Sequence, residues 1–435
     1  MNIIVLSNTP WADDNSFGNS YSNIFCGIPD LYFANIYCRY GQPDNQFDMR
    51  FFQITEKTLM DNLKNRNEPS GYQVFPEKKD GNQMDIKETK GFDRARKMRW
   101  QIMFWGRNFI WKAGRWNSVQ LRMFLDDFKP DLIFQPVYIK PYINDIALYI
   151  KEYTGCPMIG YISDDNYTLK QFNLSPLYWI DRMWSRRKVK AVIEKCELLY
   201  VISQIQKEEY EKIFTPSCKV LTKCADFSAP APIWKKPTDT VKLLYAGNIG
   251  SGRWKSLGYI AETVESLFKK GYKVRLDIYT STPLSSKMDH NLRKKGTSIH
   301  KSVSYEKLLQ LQKDANILLH VEGLSKSNQM TVHQSFSTKL VDYFAMGKCI
   351  LAVGTESEAS IKHLMDNDAA IVIGAKKEVL PKLKKILDKQ ELILEYGIKA
   401  YECGKRYHEK LKIQKMISDD IKMILNSKEK NEKSK

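Results

Sequence analysis

A glycine-rich turn between an apolar run and a helical stretch is the first feature of this sequence that suits ligand binding. Residues 245–255 read Tyr-Ala-Gly-Asn-Ile-Gly-Ser-Gly-Arg-Trp-Lys. Glycines such as Gly247 and Gly250 allow a backbone to approach an anion, while Arg253 or Lys255 adds positive charge. The pattern is not the Gly-x-Gly-x-x-Gly of dinucleotide sites, so a tight turn without a ligand fits it equally well.

A second candidate site lies in residues 335–348, where polar side chains accompany the predicted start of a helix. Ser337 and Thr338 fall where backbone N–H groups and hydroxyls can hold a pyrophosphate. Lys339 adds a cation, and Asp342 lies one turn further along, where a carboxylate can bind both hydroxyls of a ribose. An ordinary helix cap and a surface carboxylate are the alternative interpretation.

Two more polar residues follow predicted strands of the same half of the chain. Glu322 ends the apolar run 315–321, and Ser281 follows the run 273–279. In wound α/β sheets the carboxyl ends of the strands face the ligand crevice, so both side chains are candidates for ligand contacts. A structural role for Glu322 fits as well.

Short apolar runs alternating with helical stretches must position these residues. In the N-terminal half the runs are 3–6, 131–134, 158–162 and 198–202. This alternation predicts a wound parallel sheet. Residues 226–240 contain three prolines and predict a linker, after which the strand–helix pattern begins again. We therefore expect two successive α/β domains.

The two motifs together resemble the nucleotide-sugar domain of GT-B glycosyltransferases, nearest to the family 4 type of bacterial capsule, exopolysaccharide or lipopolysaccharide assembly. The similar residues are the Tyr-Ala-Gly-Asn-Ile-Gly turn and the later Ser-Thr-Lys, Asp-Tyr and Gly-Lys block, about 90 residues apart and in the family's order. The N-terminal half is similar in layout only. The resemblance implies two Rossmann-like parallel-sheet domains that face each other across a cleft.

The resemblance also implies a nucleotide-diphosphate sugar as donor, without a cofactor or an obligatory metal ion. Arg253 and Lys255 would stabilise the diphosphate together with residues 337–339, and Asp342 would hold the ribose. The implied units are an N-terminal acceptor-side domain over 1–226, a linker over 227–240, a nucleotide-sugar domain over 241–400, a helix over 401–426 that crosses back to the first domain, and a disordered tail over 427–435.

Several positions depart from the family pattern. Gln334 occupies the donor-site position where relatives have a glutamate, and it cannot supply charge to the sugar. Relatives often use a histidine of the N-terminal domain, but the first histidine here is His290. Asp164, or else Asp13, each beside a second aspartate, is then the candidate general base of an inverting reaction. We favour the retaining route, in which the leaving phosphate takes the acceptor's proton.

The N-terminal half carries two candidates for acceptor or membrane contact. Gly18 lies in a predicted glycine loop after the first strand. Residues 94–122 contain eight basic and no acidic residues, interleaved with aromatic ones that include Trp105 and Trp111, with Arg107 between them. A basic aromatic helix suits an anionic membrane interface, although an ordinary helix with core aromatics fits too. Nucleic acid ranks last because no recognition motif accompanies the charge.

Composition limits the class of protein. The 435 residues carry 68 Lys+Arg against 50 Asp+Glu, a net charge of +18, which predicts an anionic partner. The eight cysteines are scattered, which predicts reduced buried thiols. The sequence has neither a signal-peptide pattern nor a long apolar run, so we expect a cytoplasmic protein, peripheral on the inner membrane face.

The predicted activity is transfer of a sugar from a nucleotide-diphosphate sugar to a hydroxyl of an oligosaccharide, or more specifically of a lipid-linked glycan, in cell-surface polysaccharide synthesis. Three alternatives remain open at this point. They are a non-catalytic GT-B partner subunit, a nucleotide-sugar 2-epimerase and a basic nucleic-acid-binding protein.

Overall fold

The structure is a computed structural model that describes residues 1–76, 101–228 and 231–433, apart from 233, 235 and 238. Residues 94–100 of the predicted basic aromatic helix therefore lie outside the described residues. Within the described part, no helix is both long and apolar enough to cross a bilayer. The eight cysteines are free thiols, and all except Cys26 are buried.

The N-terminal domain is built on an eight-stranded sheet in the order β4-β3-β2-β1-β5-β6-β7-β8. Neighbouring strands are parallel except for β3 and β4. The strands read as apolar runs because helices cover both faces of the sheet. Their bounds are β1 Asn2–Ser7, β2 Tyr32–Tyr37, β3 Met49–Gln53, β4 Tyr72–Val74, β5 Leu132–Pro136, β6 Met158–Ile162, β7 Leu198–Val201 and β8 Cys218–Val220.

The helices of this domain use local signals at their ends. The helix Pro141–Thr154 begins with proline at its first position and ends at Gly155, which has a left-handed φ of 65°. The described helices are α1 Ser16–Phe25, α2 Glu56–Lys64, α3 Gln101–Ala113, α4 Val119–Phe128, α5 Pro141–Thr154, α6 Pro176–Ile193 and α7 Gln204–Tyr210.

The C-terminal domain has a six-stranded, fully parallel sheet in the order β11-β10-β9-β12-β13-β14. The direction of winding reverses between β9 and β12, which opens a crevice at their carboxyl ends. The strands are β9 Val241–Ala246, β10 Val274–Thr280, β11 Thr297–Lys301, β12 Ile317–Val321, β13 Cys349–Val353 and β14 Ile371–Ile373. The helices are α8 Arg253–Lys269, α9 Ser286–Leu292, α10 Tyr305–Asp314, α11 Lys326–Val332, α12 Lys339–Ala345, α13 Ala359–Asp366 and α14 Val379–Asp388.

The C-terminal segment returns to the first domain as two helices, α15 Glu391–Tyr407 and α16 Lys410–Lys433. Between them, the His408 carbonyl accepts a hydrogen bond from the Ala225 amide, and Ala225 accepts one from Lys410, both at 2.9 Å. The two connections between the domains thus lie side by side. The expected single helix is interrupted at His408, and α16 continues through residues 427–433, which the sequence had indicated as disordered.

Helix α16 is fixed to the N-terminal domain by buried polar contacts. Gln414 Nε2 donates to the carbonyls of Ile24 at 3.0 Å and Cys26 at 2.8 Å. The Tyr200 hydroxyl donates to Asp420 Oδ2 at 2.7 Å. Polar anchors of this kind span more than 200 residues of sequence, so no local pattern predicts them.

Two wound parallel-sheet domains were predicted, and the structure confirms them. The runs recognised in the sequence correspond to β1, β5, β6, β7 and the strands β9, β10, β12, β13 and β14. Strands β2, β3, β4, β8 and β11 were not recognised. These include the sheet-edge strands β4, β8 and β11, and β4 and β8 have only three residues each.

Candidate active site

A cavity of about 310 Å³ opens at the carboxyl ends of β9 and β12, where the winding of the C-terminal sheet reverses. Wound α/β sheets bind ligands at this position because loops on either side diverge there. The cavity is lined by Tyr245, Ala246, Asn248, Arg253, Leu319, His320, Val321, Glu322, Val332, Ser335, Phe336, Ser337, Thr338, Lys339, Tyr343 and Ser360.

The glycine turn allows side chains from three segments to meet at the cavity. A Cβ atom on Gly247 would lie 2.1 Å from Lys339 Nζ, so only glycine lets this lysine reach the Ala246 carbonyl, to which it donates at 2.9 Å. Gly252, with a left-handed φ of 77°, starts α8, and a Cβ there would lie 2.1 Å from Asn328 Nδ2. The turn therefore serves close packing around the cavity.

Arg253 and Glu322 form the best-defined ion pair of the cavity. Arg253 Nε and Nη2 donate to the same carboxylate oxygen of Glu322, at 2.9 and 2.8 Å. The Glu322 backbone carbonyl accepts from Ser256 Oγ at 2.7 Å, which joins the end of β12 to the first turn of α8. Burial raises the pKa of the Glu322 carboxyl, and Arg253 opposes that shift. Arg253 is thereby held at the cavity wall.

Two cations, Arg253 and Lys339, and one carboxylate, Glu322, stand among the described lining residues of the cavity, so positive charge is in surplus there. Burial lowers the pKa of Lys339, and the nearby Arg253 lowers it further. Burial together with Arg253 and Lys339 lowers the pKa of His320 to about 3, so its imidazole is neutral at physiological pH. His320 Nε2 is buried without a hydrogen-bond partner among the described residues. A surplus of positive charge suits an anionic ligand such as a diphosphate.

Not every residue of the two sequence motifs reaches the cavity. Ser337, Thr338 and Lys339 line it, but the Ser337 amide already donates to Ser360 Oγ at 2.9 Å. Lys255 lies outside the described lining, near the ring of Trp254, with its Nζ 5.6 Å from the ring centroid. Gly250 and Ser281 are also outside the lining, and the Gly250 amide donates to Asn248 Oδ1 at 2.6 Å.

Gln334 is the clearest departure from the sequence prediction, because its side chain is bound to the N-terminal domain. Its Nε2 donates to Glu209 Oε2 at 2.6 Å, and its Oε1 accepts from Gln206 Nε2 at 3.2 Å. Its backbone carbonyl accepts from Ser203 Oγ at 2.7 Å. The residue is only 1% exposed and is absent from the lining of the cavity. In this conformation it fastens the two domains, which no pattern within one domain can indicate.

The same carboxylate of Glu209 also contacts the neighbouring His333. Glu209 Oε1 lies 2.8 Å from His333 Nε2 and 2.5 Å from Lys170 Nζ. Burial raises the pKa of Glu209, but the hydrogen bonds from Lys170, His333 and Gln334 together bring it below its ordinary value. A charged Glu209 is therefore the centre of this contact between the domains.

Asp342, the candidate ribose ligand, also pairs across the domain boundary. Its Oδ1 accepts from Lys223 Nζ at 2.7 Å, and the lysine side chain is only 10% exposed. Lys223 lies just after β8, in the first of the two connections between the domains. The pair therefore couples the proposed ribose position to the angle between the domains.

The candidate bases of the N-terminal domain occupy different environments. The side chain of Asp164 is exposed, and its Oδ1 accepts from Ser335 Oγ, a residue of the cavity wall, at 3.3 Å. Desolvation by surrounding protein raises the pKa of Asp164, against the hydrogen bond from Ser335 and together with Asp165. Asp165 instead pairs with buried Arg182 at 3.3 Å and accepts from the Thr168 amide at 2.7 Å. Of these two neighbours, Asp164 is the one that contacts the cavity wall.

Asp13 and Gly18 both belong to the segment after β1. The Asp13 amide donates to the Asp44 carbonyl at 2.8 Å, and its carboxylate accepts from Ser22 of α1. Gly18 lies inside α1 rather than in a loop, and a Cβ there would lie 2.0 Å from the Ala12 carbonyl oxygen. The glycine is thus required for α1 to pack against the preceding loop.

The predicted membrane contacts divide into exposed and buried residues. The prediction for Trp111 is wrong: the residue is 1% exposed, its ring stacks 4.1 Å from that of Tyr142, and its Nε1 donates to Glu56 Oε1 at 3.0 Å. Arg107 leans over the same Tyr142 ring at 5.5 Å. Trp105 is exposed. Helical spacing alone could not show which side of α3 packs on the domain.

Four functional candidates were absent from the sequence prediction: Glu209, Lys223, His320 and Glu358. Glu358 is 1% exposed, and burial, with a contribution from Glu322, raises its pKa to about 8. His320 precedes the predicted Glu322 by two positions in β12, so strand alternation was an available signal for it. For the others no local signal exists. Among the described residues, no three His, Cys, Asp or Glu side chains are grouped to hold a metal ion.

Comparison with known proteins gives structural matches only. No protein-family model and no curated sequence matches. Sucrose-phosphate synthase from Thermosynechococcus elongatus aligns with a TM-score of 0.61 at 10% identity, over 98% of this chain and 100% of that one. HepE of Anabaena, in complex with UDP and glucose, gives 0.60 at 9% identity over 97% and 100%. TarM gives 0.52 at 12% identity over 70% of this chain, which spans 57% of its length.

These structures share the GT-B arrangement of two wound domains across a crevice. At such low identity the likeness establishes the fold, and the fold predicted from the sequence is confirmed: the chain has the GT-B fold. The narrower resemblance to family 4 stays a prediction.

Proposed function

We propose that the protein is a glycosyltransferase that moves a sugar from a nucleotide-diphosphate sugar to a hydroxyl of a lipid-linked glycan. The observation that carries the proposal is the electropositive cavity at the β9–β12 reversal, with Arg253 and Lys339 in its wall. The solved structure of HepE with UDP and glucose, on the same fold, supports a nucleotide sugar as the ligand class.

The proposed chemistry uses the two cations for the leaving group. The bond from sugar C1 to the diphosphate oxygen breaks while a bond from C1 to the acceptor oxygen forms. Negative charge grows on the diphosphate, where Arg253 and Lys339 stabilise it without an obligatory metal ion or cofactor. Ser337 and Thr338 supply hydroxyls beside the two cations. Asp342 binds the ribose hydroxyls with the part of its carboxylate that the hydrogen bond to Lys223 leaves available.

We favour the retaining route. Among the described residues that line the cavity, Glu322 is the sole carboxylate, and it is already paired with Arg253. The leaving phosphate oxygen would then take the proton of the acceptor hydroxyl. An inverting reaction would instead use Asp164 across the crevice as general base. Proton NMR of the first-formed product distinguishes the two, because the anomeric configuration is kept or inverted.

We assign the reaction to cell-surface polysaccharide synthesis, in the cytoplasm at the inner membrane face, because a lipid-linked acceptor would be held there. The excess of positive charge, +18 over the chain, suits an anionic leaflet. The basic stretch 94–122 contributes to this surface through its exposed members, such as Trp105.

The test is a thermal-shift screen of the full chain with UDP, GDP, CMP and their sugars. A ligand that binds only the folded state raises the melting temperature, and the rise grows with the logarithm of the ligand concentration relative to its Kd. We expect a concentration-dependent rise with one nucleotide family, loss of it in Arg253→Ala, and transfer that survives EDTA. No rise with any nucleotide would overturn the donor site, and loss of transfer with EDTA would overturn metal independence.

A non-catalytic GT-B subunit is the second candidate. It is favoured by the engagement of Gln334 and Asp342 with the N-terminal domain, which leaves both outside the cavity lining. Nucleotide binding without consumption of any nucleotide sugar would support it. A product that remains a free nucleotide sugar would instead indicate a 2-epimerase.

A further inference from the structure

An exposed apolar surface lies on the N-terminal domain, on the loop after β6 and the first turns of α6. Leu174 is 84% exposed, Phe172 62% and Ile180 60%, and Leu177 and Trp184 are exposed as well. We call these five residues the apolar wedge. Single exposed apolar side chains are common, but five within thirteen residues mark an interaction surface.

The apolar wedge is a continuous stripe in a fixed conformation. Leu177, Ile180 and Trp184 follow at spacings of three and four, which places them on one face of α6. The opposite face is buried through Arg182, Ser185 and Val189. The helix therefore turns its apolar stripe toward solvent.

The loop that carries Phe172 and Leu174 is tied down by polar contacts. Trp179 Nε1 donates to the Asn173 carbonyl at 2.9 Å, and the Ser175 amide donates to Asn173 Oδ1 at 2.8 Å. Buried Arg182 donates to the Thr168 carbonyl at 2.7 Å. The apolar side chains are thus presented by a well-supported loop.

Exposed positive charge accompanies the apolar wedge. Residues 169–190 contain six basic side chains and one acidic side chain. Three of the basic side chains are paired, Lys170 with Glu209, Arg182 with Asp165 and Lys188 with Asp145, so the positive surface depends on the others. Arg187 and Lys190 are exposed toward the carboxyl end of α6. At 1.5 Å per residue, Arg187 lies about 15 Å along the helix from Leu177. The helix thus has apolar residues at one end, Trp184 in the middle and cations at the other end. A bilayer interface has the same order in depth, from acyl chains through the level of tryptophan rings to the lipid phosphates.

A second exposed pair stands near this surface on α3. Phe109 is 70% exposed, and Trp105 lies one turn before it. Both α3 and α6 pack on α5: Trp111 stacks on Tyr142, and Lys188 pairs with Asp145 at 2.7 Å. The two apolar ridges therefore belong to the same side of the domain.

We propose that the apolar wedge inserts into the headgroup region of an anionic membrane, with Arg187 and Lys190 at the lipid phosphates. This inference rests on the proposed function, because membrane binding would bring the enzyme to the lipid-linked acceptor proposed above. The loop after β6 also contains Asp164, whose carboxylate contacts Ser335 across the crevice. A lipid-borne acceptor held at this surface would therefore lie close to the crevice.

The experiment is vesicle flotation of the full chain, which needs neither donor nor acceptor. Vesicles of phosphatidylcholine with about 30% phosphatidylglycerol are compared with phosphatidylcholine alone. We expect binding to the anionic vesicles and at least about ten-fold weaker binding to the neutral ones. The triple variant Phe172→Ser, Leu174→Ser, Ile180→Ser should lose at least about ten-fold in affinity, because each truncation removes inserted apolar surface.

A matched control removes apolar surface elsewhere. Phe268 and Leu411 are both half-exposed or more and lie on α8 and α16, so the double variant Phe268→Ser, Leu411→Ser should bind within about two-fold of wild type. The charge variant Arg187→Gln, Lys190→Gln should lose about 30-fold, from the usual contribution of two basic residues near an anionic surface. Equal melting temperatures establish that the variants fold.

Three outcomes overturn the proposal. The first is wild-type protein that fails to bind anionic vesicles, and the second is a triple variant that binds like wild type. The third is a wild-type dimer in sedimentation velocity without lipid that the triple variant dissociates, which assigns the apolar wedge to a second copy of the chain. Vesicle binding without any nucleotide-induced thermal shift would support membrane insertion of the apolar wedge and contradict the proposed function.

Discussion

The two walls of the crevice carry their polar side chains in different ways. On the C-terminal wall, Arg253 comes from a short motif after a strand and Lys339 from a short motif at the start of a helix, and both face one electropositive cavity. On the N-terminal wall, Asp164 comes from the loop after β6 and Glu209 from helix α7, and they contact Ser335 and Gln334 of the other domain. One wall thus presents cations and the other carboxylates.

This contrast teaches which wall suits which partner. A diphosphate requires fixed positive charge, and glycine turns at strand ends supply it within a few residues. An acceptor hydroxyl requires at most one carboxylate, which any loop can provide. The C-terminal wall, where we propose that the donor binds, can therefore be recognised in a single sequence. The N-terminal wall, proposed for the acceptor, is assembled from residues whose neighbours lie in another domain.

The largest effect is expected on the acceptor wall, where Asp164 and Asp165 are adjacent in sequence and opposite in role. Asp165→Ala leaves Arg182, 3% exposed, as an unpaired buried charge, so the unfolding free energy should fall by about 3–5 kcal/mol. Asp164→Ala, at an exposed position, should change it by less than about 0.5 kcal/mol. Urea denaturation measures both. Equal losses would contradict the division of roles.

The next effect concerns the donor wall. Arg253→Ala should lower kcat by about 10²–10³-fold, the usual consequence of removing one preorganised charge from a developing anion. The comparison variant is Lys255→Ala, two residues away but outside the described cavity lining, for which we expect no more than about a two-fold change. Initial rates of sugar transfer provide the measurement. A larger loss from Lys255→Ala would show that the donor contacts the turn from its outer side.

The contact between the walls can be tested by introducing at position 334 the glutamate of the family pattern that the sequence resembles. Gln334→Glu would place a carboxylate against Glu209 Oε2, where the amide now donates at 2.6 Å, so we expect a loss of about 2 kcal/mol in unfolding free energy. Adding Glu209→Gln to that variant recreates a carboxylate–amide pair. A double-mutant cycle should give a coupling energy above about 1 kcal/mol. Simple additivity would show that the contact does not hold the domains together.

The smallest effect is a pH dependence on the donor side. The pKa of Glu358, about 8, lies above that of an unfolded glutamate, so the native state retains a proton that the unfolded chain releases. The stabilisation is complete below about pH 4.5 and is lost as the pH rises toward 8. Between pH 6 and 7 the unfolding free energy of wild type should fall by about 1 kcal/mol more than that of Glu358→Gln. Parallel curves for the two proteins would contradict the buried position of this carboxyl.

Part of the site was predictable because its determinants are local. The glycine turn, the helix start at Lys339 and the strand end at Glu322 each depend on fewer than about ten consecutive residues. Lys255 illustrates the limit of such reasoning. It shares the motif with Arg253, yet the direction of the first turn of α8 places it beside Trp254.

The sequence by itself determined two wound parallel sheets and the positions of the donor motifs, because apolar periodicity, glycine and proline act over short distances. The tertiary structure alone decided that Gln334 binds Glu209, that Lys223 pairs with Asp342, and that Trp111 is buried while the apolar wedge is exposed. These outcomes depend on which surfaces meet after folding. Contacts between residues a hundred or more positions apart leave no local signal in the sequence. Helical spacing shows that apolar residues share one face of a helix, but it does not show whether that face packs on the domain or is exposed to water.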